Sequence, residues 1–262
     1  MEVSYSSSHT YVLLEDEMIE TNGGFVCRAF DEDLGRYLCV KAVDTDDPKC
    51  AMEEVKTLSR FSSELTSLPQ IFDTHYDKKQ KRLYIFMQWI SGDTLTKHMS
   101  DSDRDFIGYM IQLCGILAQM AKKKYYHKDI KPDNIIIKKQ KLFLIDFNIT
   151  GSLSNMIEGT PGYRSPEADG QCRYMMRDKA DMFAIGVMLY EHYAGKRPAQ
   201  GKDYARSSRR ITVWDYFIDP CKEDTKSGRR MNSIIRKCMA FRPEERYRNY
   251  QELINELKGA LR

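Results

Sequence analysis

Residues 127–134 read His-Lys-Asp-Ile-Lys-Pro-Asp-Asn, and residues 144–148, between short apolar segments, read Leu-Ile-Asp-Phe-Asn. The first run places a carboxylate (Asp129), an ammonium (Lys131) and a carboxamide (Asn134) on one loop, and the second adds the carboxylate of Asp146. Oxygen donors of this kind are ligands for hard cations such as magnesium. A carboxylate next to a lysine is equipped to take a hydroxyl proton while the ammonium steadies an anionic group in transit. Phosphoryl transfer needs these four groups together.

Groups that must converge need a frame. The 262 residues, 42% of them hydrophobic, suffice for one sizeable domain or two lobes. Tyr11 to Ile19, Phe25 to Phe30, Arg36 to Val43, Gln70 to His75 and Arg82 to Trp89 are β-branched or aromatic-rich and separated by polar turns, which predicts a five-stranded antiparallel sheet. One helix interrupts it: Asp47 caps, Pro48 suits the first helical position, and Val55, Leu58 and Phe61 fall on one stripe. Past Ser91 and Gly92 the pattern turns helical. Phe106, Met110, Leu113, Leu117 and Met120 mark a long amphipathic helix ending in Lys122, Lys123 and Lys124, cations that complement its dipole. A hairpin over Asn134 to Lys138 and Leu142 to Ile145 would hold the two motifs side by side. Further helices are expected over Asp181 to Ala194, Met231 to Phe241 and Tyr250 to Leu261, the last burying Tyr250, Leu253, Ile254, Leu257 and Leu261. The class is therefore α+β, a small sheet lobe followed by a larger helical one.

The two motifs resemble the catalytic and metal loops of eukaryotic-type protein kinases, His-Arg-Asp-x-Lys-Pro-x-Asn and Asp-Phe-Gly. The resemblance extends over about residues 11–258. It implies the two-lobed kinase fold with an ATP cleft between the lobes: a single domain over 1–262, with an amino-terminal lobe to about 87, a hinge over 88–93 and a carboxy-terminal lobe from 94. By that resemblance Asp129 accepts the substrate hydroxyl proton, Lys131 steadies the γ-phosphate, and Asn134 and Asp146 hold magnesium. Lys41, in Leu38-Cys39-Val40-Lys41, matches the phosphate-binding lysine, with Glu54 its carboxylate partner and Glu53 the neighbour to exclude. Gly23, Gly24 and Val26 stand where the family has its glycine-rich loop, here shorter and missing two of its three glycines. An inward-pointing Glu20 would repel ATP there. Met87, Gln88, Ile90 and Asp93 match the hinge: Met87 guards the back pocket, Gln88 and Ile90 offer main-chain groups, and Asp93 meets ribose.

Downstream, residues 159–167 resemble the end of an activation segment, with Thr160 bonding to Asp129 and Lys131, and with Glu167 held by Arg246. Asp181 resembles the helix aspartate that ties down the catalytic loop. The threonine together with Lys131 is the serine/threonine-kinase form. The resemblance thus implies transfer of the γ-phosphoryl group of Mg-ATP to protein Ser or Thr; a pseudokinase that uses the fold to hold a partner is the alternative, and a small-molecule acceptor a variant. Asn148 replaces the metal-loop glycine, and Lys128 replaces the arginine that grips an activation-segment phosphate in many relatives. An ammonium cannot make that bidentate contact, so activity is expected to depend weakly on phosphorylation, although Ser152, Ser154 and Thr160 are available.

Charge and cysteines narrow the class further. With 41 basic against 38 acidic residues the net charge is +3, and no overall basic field argues for nucleic acid. Seven cysteines, an odd number without a Cys-x-x-Cys pair, disfavour a zinc site and a complete disulfide framework. The amino terminus lacks a signal-peptide core, and Met182 to Tyr190 is too short to span a bilayer, which takes ~20 residues. A soluble intracellular protein, cytoplasmic or nuclear, is expected, partnered by a protein substrate and ATP, with a regulatory protein as a further partner. The basic run Arg206 to Arg210 reads as a solvated loop. The sequence does not set the oligomeric state.

Overall fold

The computed structural model describes residues 2–4, 10–21, 23–147, 159–168, 177–198, 220–221 and 225–261. These fall into two compact units that divide between Ser91 and Gly92.

The first unit is a sheet and one helix. Its strands are β1 (Glu2–Ser4), β2 (Thr10–Leu13), β3 (Ile19–Thr21), β4 (Gly24–Asp31), β5 (Arg36–Asp44), β6 (Ile71–Asp77) and β7 (Arg82–Gln88). All pairings are antiparallel, in the order β1-β2-β4-β5-β7-β6, and β3 lies along the start of β4. Side-chain alternation gives the sheet two different faces. On one, Phe25, Cys27 and Ala29 of β4, Leu38, Val40 and Ala42 of β5, and Tyr84 and Phe86 of β7 are buried with Tyr11 and Leu13 of β2. Tyr11 stacks on Phe86 with ring centroids 4.3 Å apart. At about 1.5–3 kcal/mol per fully buried large side chain, this cluster is a major source of the unit's stability. On the other face the register sets Val26 opposite Lys41, and Lys41 opposite Ile85.

The expected five strands become seven, and the first one breaks. Leu13 pairs with Ala29 and Ile19 with Val26, so residues 14–18 stand opposite Cys27 and Arg28 alone. The surplus chain is taken up by a 3-10 turn, Glu15–Glu17, whose acidic side chains sit in solvent. Helix α1 (Pro48–Glu64) starts as the sequence predicts: the Asp47 carboxylate accepts from Cys50 N, Pro48 opens the first turn, and Val55, Leu58 and Phe61 are buried.

The second unit is mainly helical. It contains β8 (Asp93–Thr94), α2 (Asp103–Lys122), β9 (Ile135–Lys138), β10 (Lys141–Leu144), α3 (Arg177–Ala194), α4 (Lys226–Cys238) and α5 (Tyr250–Ala260). Ser102, Thr225 and Asn249 cap α2, α4 and α5 through side-chain oxygens. Helix α2 packs on α5, α3 and β10, and α3 packs on α4. The expected stripe of α2 is buried throughout. Four helix bounds differ from expectation. The Thr225 cap starts α4 at Lys226 rather than Met231, α4 ends at Cys238 rather than Phe241, and α3 begins at Arg177 rather than Asp181. The last helix ends at Ala260, so Leu261 is 42% exposed and Ala260 completes the buried face.

Strands β9 and β10 form the predicted hairpin, turned by Lys139 and Gln140, both at positive φ (48° and 63°), as a two-residue primed turn requires. The turn is held from α2, where the Tyr109 hydroxyl donates to Gln140 Oε1 at 2.8 Å and Gln112 donates to Gln140 O at 3.0 Å. The β8 strand adds to β9, a pairing with no signal in the sequence. No helix among the described residues is long and apolar enough to cross a membrane. Cys27, Cys50, Cys114 and Cys238 are free thiols.

Candidate active site

Asp129 is the hub of the second unit's polar site. Asn134 donates through Nδ2 to both the Asp129 carbonyl oxygen (2.8 Å) and Oδ2 (3.2 Å). Lys131 Nζ lies 3.3 Å from the same Oδ2. The Thr160 hydroxyl donates to Oδ1 at 2.7 Å and accepts from Lys131 Nζ at 3.0 Å. Because Asn134 uses its amide nitrogen for Asp129, its side-chain oxygen is the atom left over for a cation. Pro132 to Asn134 form a 3-10 turn that buries Asn134, fixing the carboxamide beside the carboxylate.

The loop is clamped from behind. The Asp181 carboxylate, buried on α3, accepts from His127 N and Lys128 N, each at 3.1 Å. Lys128 there adopts φ 72°, so the chain turns at the point where Asp181 grips it. His127, 1% exposed, joins the two motifs: its Nε2 bonds to Ile145 O at 2.9 Å and its ring packs 4.7 Å from that of Phe147. Between these contacts Asp146 takes φ 57°, a left-handed conformation that aspartate tolerates better than most residues. The hairpin thus brings Asp146 next to the loop carrying Asp129, as the spacing predicts.

The following segment is fixed to the same hub. Gly159 has φ +92°, and a β-carbon there would come 3.0 Å from Lys128 O, so glycine allows Thr160 to reach Asp129. Arg164 donates to Gly159 O through Nη2 at 2.6 Å. Tyr163 donates to Glu191 at 2.6 Å, and burial together with that carboxylate pushes its phenol pKa up, keeping it a donor. Glu167 and Arg246 form a fully buried bidentate pair, with Nη1–Oε1 at 2.6 Å and Nη2–Oε2 at 2.8 Å. Arg246 also donates to Ala240 O at 2.9 Å and Lys179 O at 2.7 Å.

In the first unit Lys41 shares a face with Val26 across the β4–β5 pairing, and Cys39 lies opposite Met87. Glu53 is exposed and pairs with Lys56 at 2.7 Å, whereas Glu54, one position on along α1, is half-buried. Gly23 and Gly24 sit at φ 104° and 143°; a β-carbon on Gly24 would lie 1.9 Å from Ala42 O, so this glycine is needed for backbone approach. Glu20 pairs with Phe25 and therefore faces away from Lys41. The repulsion feared for this acid does not arise from its own strand position. Met87 and Ile90 are buried; the Gln88 amide donates to Gln70 O at 2.7 Å, so its N–H is already committed. Asp93, at the start of the second unit, is exposed and paired with Lys97 at 2.6 Å.

Asn148, Ser152, Ser154 and Arg206 to Arg210 lie outside the described residues. The sequence reading missed Lys179, a lysine 5% exposed whose Nζ donates to Tyr247 O and to Arg248 O, the latter at 2.7 Å; burial lowers its pKa. It also missed the bridging bond of His127. A histidine opening a polar run and a lysine in a polar stretch carry no local signal for such contacts.

Comparison with known proteins gives the family. A sequence model described as protein kinase domain matches residues 20–256. A Clostridium acetobutylicum protein described as a probable serine/threonine-protein kinase is 27% identical over 268 residues, covering 94% of this chain and 39% of that protein. PknA, a serine/threonine-protein kinase of Nostoc, is 26% identical over 226 residues, with 78% and 36% covered. The chain thus spans little more than a third of the length of these two relatives. Ppk11, a serine/threonine-protein kinase of Schizosaccharomyces pombe, is 27% identical over 237 residues, with 85% of this chain and 73% of that protein covered. Among solved structures, Rad53 residues 1–466 in complex with AMP-PNP superposes with a TM-score of 0.75 at 18% identity, over 94% of this chain and 64% of that one, a likeness of fold. By its matched domain, its fold and its relatives, the chain belongs to the protein kinase family, as a eukaryotic-type serine/threonine kinase catalytic domain.

Proposed function

We propose that this chain transfers the γ-phosphoryl group of Mg-ATP to serine or threonine hydroxyls of protein substrates. The observation that carries the reading is the hub at Asp129, where a hydroxyl already sits 2.7 Å from Oδ1 with a lysine 3.0 Å behind that hydroxyl. A substrate hydroxyl in that position would find a carboxylate within proton-transfer reach and an ammonium beside it. Lys41 would hold ATP phosphates with Glu54 as its partner, and Gly23, Gly24 and Val26 would border the nucleotide on the same hairpin. Met87, Gln88, Ile90 and Asp93 would contact base and ribose, Gln88 through its carbonyl since its N–H is committed.

The donor set suits magnesium. Asp146 and the Asn134 side-chain oxygen would hold it, and when bound the ion neutralises charge on the transferring phosphate. Among the described residues no group of three or more His, Cys, Asp or Glu side chains gathers as an all-protein cage. That fits an ion that usually relies on one or two carboxylates, substrate phosphate and water. The Rad53 complex with AMP-PNP supports nucleotide binding on this fold.

The alternative, a kinase fold that holds a partner without transfer, draws support from the β3–β4 hairpin, which offers fewer glycines than the family loop. Parallel measurements separate the two readings. Lys41→Met is expected to weaken Mg-ATP binding, and Asp129→Asn to abolish transfer with binding nearly intact. Mg-ATP binding without transfer by the wild-type chain to any Ser/Thr protein would favour the alternative.

A further inference from the structure

Lys179 is buried at the start of α3. Its ammonium donates to Tyr247 O and, at 2.7 Å, to Arg248 O, the two residues that lead into the Asn249 cap of α5. The backbone around it is tied to the same stretch: Lys179 O accepts from Arg246 Nη1 at 2.7 Å, and Asp178 O accepts from the Tyr250 hydroxyl at 2.8 Å. That stretch is itself fixed, since Arg248 N donates to Glu252 Oε2 and Glu252 N donates to the Asn249 side chain, each at 2.9 Å. Two residues further along α3, Asp181 holds the amides of His127 and Lys128. Successive helical residues turn by about 100°, so Lys179 and Asp181 leave the helix on nearly opposite sides. The start of α3 is thus a strut between the loop before α5 and the loop that carries Asp129.

Among the described residues the hydrogen-bond partners of this ammonium are carbonyls, and no carboxylate is bonded to it. A buried charge held in that way is a poor source of stability, because carbonyls offset only part of its desolvation. Burial accordingly lowers the Lys179 pKa. An apolar side chain would fill the same space without that cost. What the ammonium adds is direction, since the carbonyls of two successive residues fix where the start of α3 sits. We propose that Lys179 is a positioning residue for the catalytic loop, holding the start of α3 so that Asp181 accepts both loop amides and Asp129 faces the acceptor hydroxyl. The inference rests on the reading of Asp129 as the group that takes the hydroxyl proton.

Lys179→Met fills the site and removes both donors. Amide exchange followed by NMR on the whole chain is the first reading. Relative to the slowest amides of α2, which report global opening, those of His127 and Lys128 should exchange at least about tenfold faster than in the wild type. The second reading is turnover: kcat on a Ser/Thr protein substrate, per folded chain, should fall about tenfold while KM for Mg-ATP stays unchanged. Lys179→Arg keeps donors for both carbonyls and should bring both readings to within about threefold of the wild type. If Lys179→Met does not fold, Lys179→Gln, which is too short to span both carbonyls, serves the same comparison. A residue that only added stability would shift every slow amide alike and leave kcat per folded chain unchanged. Either of those results would overturn the proposal and leave the kinase reading standing. A wild-type chain that transfers no phosphate would overturn the kinase reading, and this inference with it.

Discussion

Removal of Arg246 tests how the segment after Thr160 is anchored. Both members of the Glu167–Arg246 pair have fully buried side chains, and Arg246 also satisfies the carbonyls of Ala240 and Lys179. Arg246→Ala would strand the Glu167 carboxylate in the interior and leave those carbonyls short of a donor. Breaking a buried pair from one side costs about 3–5 kcal/mol, and with a urea dependence of ~2 kcal/mol per molar this is a midpoint loss of about 1.5–2.5 M. Arg246→Lys keeps the charge but not the fork, and is expected to lie between the wild type and Arg246→Ala. Replacing both residues by apolar ones, Glu167→Leu with Arg246→Met, should recover most of the loss, since no unpaired charge remains. Urea unfolding of the four proteins decides the matter. A loss below about 1 kcal/mol for Arg246→Ala, the value of a surface pair, would refute the reasoning.

Asp181→Ala removes the acceptor of one buried and one part-buried N–H group, those of His127 and Lys128. At about 1–3 kcal/mol for the buried group and less for the part-buried one, a stability loss of about 1–4 kcal/mol is expected by denaturation, accompanied by slower transfer. Alkali should destabilise the fold. Burial raises Cys27 to about 11 and Cys114 well above its ordinary 9.0, and raises Tyr250 above 10.0. The folded chain therefore holds protons that the unfolded chain releases, so this stability is complete below pH 9.0 and declines as pH rises towards the folded values. Lys179, whose pKa is lowered, works in the opposite sense but is a single group. A urea midpoint that fails to fall between pH below 9.0 and pH above 10.0 would contradict this balance. Ser152→Ala combined with Ser154→Ala should leave turnover largely unchanged, because Lys128 cannot grip a phosphate bidentately; a collapse in rate would reverse that view.

The parts of the structure readable from sequence are those with local causes. Asp47 and Pro48 set the start of α1 through a cap and a fixed φ, and the α2 stripe from Phe106 to Met120 is buried because its spacing keeps it on one face. The residues that gather at Asp129 were visible because Asp129, Lys131 and Asn134 lie within one short run. What stayed hidden depends on register and on distant partners. The break between β2 and β3 follows from how residues 13 and 19 pair with β4, and nothing in Leu14 to Met18 announces it. The direction of Glu20 is likewise a matter of register. His127 and Lys179 bond to backbone carbonyls 18 and 68 residues away, for which a single sequence carries no periodic trace. Helix ends moved where a cap overrode the apolar pattern, as at Thr225, or where the pattern outran the helix, as at Leu261.

The measurement that bears most directly on the central claim is transfer of labelled γ-phosphate from Mg-ATP to a generic Ser/Thr protein substrate and to the chain itself, with Asp129→Asn alongside and Mg-ATP binding measured for both. Label that is incorporated by the wild type and lost in Asp129→Asn, with nucleotide binding retained, is the predicted result. Transfer that persists at near wild-type rate in Asp129→Asn, or a wild-type chain that neither binds Mg-ATP nor transfers phosphate, would contradict it.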